Sequence, residues 1–147
     1  MKLYQINKQQ SIEVYNKCKD MLTVKECYNN VFKICTEYMD KFINKEWKIA
    51  YGYMRIFQNQ NLFCRHCFIL DSNDKVIDAT LFTTSKEYKE EKYIDRDYFI
   101  MKTFDDMNEY TNKIMEENGY PALFGYLREQ EVKMYEWANE NGYMLCG

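Results

Sequence analysis

The chain holds one histidine, His66, and six cysteines, so any chemistry that pairs a thiol with an imidazole has to run through His66. His66 sits in Arg65-His66-Cys67-Phe68-Ile69-Leu70. The turn formers Asp71-Ser72-Asn73-Asp74 follow, and then Lys75-Val76-Ile77-Asp78-Ala79-Thr80. This pattern predicts two antiparallel strands joined by a polar turn, with His66 on the first and Asp78 on the second. Directly opposed residues of a hairpin have a constant index sum. If Leu70 faces Asp74, His66 faces Asp78, with Cβ atoms about 5 Å apart. A carboxylate there fixes the imidazole tautomer and steadies the imidazolium. A slip of one residue would put the two on opposite faces.

The thiol best placed by sequence is Cys27. Thr23-Val24-Lys25-Glu26 has the pattern of a capping box, with Thr23 as N-cap and Glu26 closing it. The helix predicted behind it covers residues 24–44, with an apolar stripe of Val24, Cys27, Tyr28, Val31, Phe32, Cys35, Tyr38, Met39 and Phe42. Cys27 then lies in the first turn, where unpaired N–H groups and the helix dipole favour a thiolate. The position equally suits a small core residue, as Cys35 is expected to be. Together, Cys27, His66 and Asp78 supply the roles of cysteine acyl chemistry: nucleophile, proton carrier and orienting acid. The backbone N–H of Cys27 is one candidate oxyanion donor.

The order Cys27-Tyr28, Gly52-Tyr53, His66-Cys67-Phe68 and Asp78-Ala79-Thr80 resembles the core of the transglutaminase-like branch of the papain-like cysteine proteins. The resemblance covers residues 23–82. It implies a nucleophile at a helix start, then a strand with a Gly-Tyr pair, a His strand and an Asp-x-Thr strand. It also implies a peptide, amide or ester substrate, with Tyr28 and Tyr53 as candidate substrate-binding residues. Phe68 stands where the family has Trp, and Glu26 precedes the nucleophile. A carboxylate at that point opposes thiolate formation unless it is turned away into the cap.

The elements that must position these residues can be read in order. Residues 1–6 are a short strand or arm, and residues 11–21 have helical spacing. Trp47, Ile49, Tyr51, Tyr53 and Phe57 alternate with Lys48, Ala50, Gly52 and Met54 as a strand, in which Gly52 marks a bulge or the close approach of another backbone. The polar turn 58–61 leads into the His66 strand. Residues 85–97 are highly charged and read as a loop or short helix at the edge of a cleft. A helix is predicted from a Thr103 cap to residue 117, and another over 127–140. Both end in Asn-Gly-Tyr, a natural helix stop. Residues 143–146 can add an edge strand. The expected fold is a single α+β domain over 1–147. Its nucleophile helix packs on an antiparallel β-sheet, a papain-like or transglutaminase-like core with two additional C-terminal helices.

Two other constellations compete. Cys64-Arg65-His66-Cys67 is a Cys-x-x-Cys pair, but structural zinc needs four ligands and the remaining cysteines offer no second close pair. Strand alternation also sends Cys64 and Cys67 to opposite faces. Neither a metal nor a cofactor is therefore expected. Tyr51, Tyr53, Phe57, Tyr98 and Phe99 can line a pocket or simply pack the core. A net charge of -3 with interleaved signs provides no basic stripe for nucleic acid. No apolar run suits a membrane span, and the first residues do not read as an export signal, so the expectation is a soluble, cytoplasmic protein with free thiols. The function expected is acyl hydrolysis or acyl transfer by a Cys27–His66–Asp78 triad. The alternative is a catalytically inactive binding domain on the same fold.

Overall fold

The structure is a computed structural model and describes residues 1–56, 60–84 and 96–147. Strand β1 is Tyr4–Ile6 and helix α1 is Lys8–Cys18. Helices α2 (Cys27–Glu37) and α3 (Met39–Ile43) follow. Strands β2 (Lys48–Arg55), β3 (Leu62–Leu70) and β4 (Lys75–Ile77) come next. A short 3-10 helix covers Ala79–Thr83. Strand β5 (Asp97–Phe104), helices α4 (Met107–Glu116) and α5 (Arg128–Glu140), and strand β6 (Met144–Cys146) complete the chain. The expected charged segment 85–97 and the end of the first long strand fall largely outside the described residues.

The protein is α+β, and the two C-terminal helices are present as α4 and α5. The sheet departs from expectation. It runs β2-β5-β1-β4-β3, and β2 also pairs with β3, so five strands close into a barrel in place of an open antiparallel sheet. Two pairings are parallel: β1 with β4, and β3 with β6. Closure works because β3 is long. Its far end pairs with β4 at Ile69 and Leu70, and its near end with β6 at Leu62 to Cys64. Side chains of Ala50, Phe68, Leu70, Val76 and Tyr98 fill the inside, and Tyr4, Ile6 and Ile100 pack on them.

The opposite face of β3 carries Cys67 and Ile69, which meet Val31, Ile34 and Cys35 of α2. Helix α2 therefore packs on the barrel through one stripe. Each such aliphatic side chain withdrawn from water contributes about 1.5–3 kcal/mol. The stripe is narrower than its sequence suggested. Val24 and Phe32 are exposed, and Ile34 is buried in their place.

Local geometry corrects four other expectations. The helix expected over 24–44 starts at Cys27 and breaks at Tyr38, whose φ and ψ of -119° and 36° are not helical. The capping box is not made, because the N-cap is Glu26 and its side chain caps nothing. Thr103 belongs to β5, and Asp106 caps α4 by accepting from the N–H of Asn108 and Glu109. The hairpin register pairs Leu70 with Val76, and the strand ends at Ile77, so Asp78 lies just past β4.

Gly52 fulfils both roles expected of it. The β2–β5 register shifts between Tyr51 and Gly52. A Cβ on Gly52 would sit 1.9 Å from the Phe99 carbonyl oxygen. Gly52 also pairs directly with His66 across β2 and β3, so the residue beside the histidine on that strand has no side chain.

Candidate thiol–imidazole site

Cys27 is the first residue of α2. The chain enters the helix through Lys25 at a φ of 63°, a left-handed turn that swings Glu26 outward. Glu26 is exposed, so water screens its carboxylate from the neighbouring thiol. The first intrahelical bond runs from Asn30 N–H to Glu26 C=O at 2.8 Å. The N–H groups of Cys27 and Tyr28 thus belong to the open end of the helix, the positive end of its dipole.

His66 Nε2 and Asp78 Oδ2 are 2.8 Å apart. Both groups are buried, with Asp78 2% and His66 7% exposed, and Cys27 keeps 9%. Because Nε2 is engaged by Asp78, Nδ1 is the nitrogen left for the thiol. Burial works against the imidazolium, but the Asp78 carboxylate and then the neighbouring Cys27 more than offset it and raise His66 to about 10. The structure therefore brings Cys27, His66 and Asp78 together. The pair survives the register difference because the shift is by two residues, which keeps both side chains on one face.

Three supporting residues were not foreseen. The Tyr98 hydroxyl also donates to Asp78 Oδ2, at 2.8 Å. Burial first, and then the Asp78 charge, hold the Tyr98 proton in place. The Asp78 N–H donates to Ser11 Oγ at 3.0 Å, which pins the start of the 3-10 turn to α1. Asn30 is fully buried one turn beyond Cys27. It accepts from Thr23 N–H at 2.9 Å and donates to Thr23 C=O at 2.8 Å and to Thr80 Oγ1 at 3.1 Å. One amide thereby joins the loop before the cysteine to the segment after the aspartate. A polar residue on an apolar helical stripe was the available signal for it.

The two candidate substrate-binding tyrosines differ. Tyr28 is half-buried beside Cys27, stacked on Tyr51 at 6.0 Å and edge-on to Phe124 at 5.8 Å. Phe124 is exposed, and the Arg65 guanidinium lies 4.5 Å from its ring. Tyr53 is placed apart, fully buried with Phe63, Phe99, Met134 and Ala138 beneath α5. Of the competing constellations, Cys67 is enclosed on the far face of β3, and burial pushes its thiol up. Cys35 rises to about 12 for the same reason. Among the described residues no group of three or more His, Cys, Asp or Glu side chains could hold a metal ion, and no helix is long and apolar enough to cross a membrane. Compared with protein-family models, curated proteins and solved structures, the chain has no significant match.

Proposed function

We propose that the protein is a cysteine-dependent acyl hydrolase or acyl transferase of the transglutaminase-like kind, acting on a peptide, amide or ester in the cytoplasm. The observation that carries this reading is the buried His66–Asp78 pair at 2.8 Å with Cys27 at the ring and at a helix N-terminus. The raised imidazole keeps a proton on the ring beside the Cys27 sulfur. In the reaction the Cys27 sulfur bonds to the substrate carbonyl carbon, and the oxyanion meets the Cys27 N–H. His66 passes its proton to the departing amine or alcohol as the carbonyl re-forms. Water or an amine then attacks the thioester while His66 takes the proton back, and the sulfur leaves as thiolate. Asp78 holds the ring throughout. Tyr28 and Phe124 form the apolar wall nearest the nucleophile, and Tyr53 supports the strand beneath.

A binding domain that has lost turnover is the second reading, favoured by the depth of the site, where Cys27 and His66 are at most 9% exposed. Iodoacetamide labelling of the native chain from pH 5 to 9, read cysteine by cysteine by mass spectrometry, separates the two. An activated pair makes Cys27 label quickly near pH 6, and His66→Ala abolishes the effect while lowering turnover about 10²–10⁴-fold. A Cys27 that labels no faster than Cys146 at any pH overturns the enzyme reading.

A further inference from the structure

We propose that Cys64 and Cys146 form a reversible disulfide that ties the last strand to the barrel. The two are direct partners in the parallel β3–β6 register. Their sulfurs are 2.6 Å apart, and Cys146 Sγ also faces the Phe63 carbonyl at 3.4 Å. Register partners project on the same side of the sheet, so a short closing movement brings the sulfurs to the ~2.05 Å of a disulfide. All six cysteines are unbridged here. Cys64 and Cys146 alone are partly exposed, whereas Cys18, Cys27, Cys35 and Cys67 are buried. An oxidant in solution therefore meets this pair first. Cys64 thus finds its partner across the sheet in Cys146, not along the strand in Cys67.

The oxidant is a low-molecular-weight disulfide such as oxidised glutathione. The Cys146 sulfur attacks one of its sulfurs and releases one glutathione thiolate. The Cys64 sulfur then attacks the Cys146 sulfur of the mixed disulfide and releases the second. Burial and the neighbouring Cys146 push the Cys64 thiol up to about 12, which keeps it protonated and makes this second step the slower one; its proton passes to solvent as the sulfur attacks, and the departing glutathione thiolate takes one up from solvent. In sum, two S–H bonds are lost, one S–S bond forms, and one oxidised glutathione becomes two reduced ones. The bond encloses α4, α5 and most of the barrel in one loop, which restricts the unfolded chain. It stands whether or not Cys27 is a nucleophile.

The test equilibrates the full chain in mixtures of reduced and oxidised glutathione, traps free thiols with iodoacetamide and maps the peptides by mass spectrometry. The expected product is a linked Cys64–Cys146 peptide that dithiothreitol reverses, with a melting temperature about 5–10 °C above that of the reduced chain. In Cys146→Ser, near the end of a three-residue strand, both the linkage and the thermal shift should vanish. Stable glutathione adducts on both cysteines without a linked peptide would overturn the proposal. So would a main linkage through Cys27 or Cys67, or an oxidised chain that melts with the reduced one.

Discussion

The Tyr98 hydroxyl and the His66 imidazole meet the same oxygen of Asp78, each at 2.8 Å. One carboxylate oxygen therefore carries two buried hydrogen bonds, one from the chain's single histidine and one from the barrel interior. Tyr98→Phe removes the second without changing ring volume. Hydrogen bonds to charged groups contribute about 1.5–3 kcal/mol, and urea denaturation should show a loss in that range. Cys27 labelling should slow far less than in Asp78→Asn, which loses the group that fixes the ring. Equal losses of reactivity in the two variants would show that the Tyr98 hydrogen bond matters as much to the orientation of His66 as the carboxylate charge does.

The only histidine reports on itself, because its ring signals in NMR are unambiguous. Its proton is held to about pH 10 in the folded protein, against an ordinary value of 6.5. A raised folded value means that the stabilisation is complete below about pH 6.5. It is lost progressively as pH rises through the window up to about 10. The His66 carbon-bound protons should keep imidazolium shifts at pH 8, and the urea midpoint should fall between pH 7 and 10. Asp78→Asn should flatten that fall, and Cys27→Ala should lower the histidine's pKa. A ring that titrates near 6.5 in the wild-type chain would refute the charged pair.

Gly52→Ala tests the close passage of β5 over β2. The added Cβ would meet backbone, the Phe99 carbonyl, at 1.9 Å, so no side-chain rotation relieves it. Strand separation at the bulge should cost at least about 2 kcal/mol. The register partner of Gly52 is His66, so Cys27 labelling should fall together with stability. A variant within 0.5 kcal/mol of wild type, the scatter of neutral surface changes, would mean that the bulge simply shifts aside.

How much of this was legible depends on the reach of each signal. Alternating apolar residues and polar turns located β2 and β3 because both cues are local. The same parity kept His66 and Asp78 on one face through a register that the turn residues did not predict. Cys27 was found at a helix start for a partly wrong reason: Thr23 does not cap it, and the buried Asn30 amide organises that loop. Tyr98 and Ser11 bond Asp78 from 20 and 67 residues away and Asn30 reaches Thr80 across 50, and no local pattern encodes those partners. The β1–β4 and β3–β6 pairs are parallel and three residues or fewer in register, too short for alternation to show. The break at Tyr38 escaped because apolar spacing continues across it into Met39 and Phe42.

The barrel closes through Gln5, which lies in register with Lys75 on one side and Asp97 on the other and donates a hydrogen bond to the Asp97 carboxylate at 2.8 Å. The first stave synthesised therefore waits for two of the later ones. During translation the β2–β3 hairpin can form as it emerges, but the ring around Phe68 and Tyr98 stays open until β5 has left the ribosome. Such long-range closure predicts slow folding for a protein of this length, with assembly of the His66–Asp78–Tyr98 cluster among the last events.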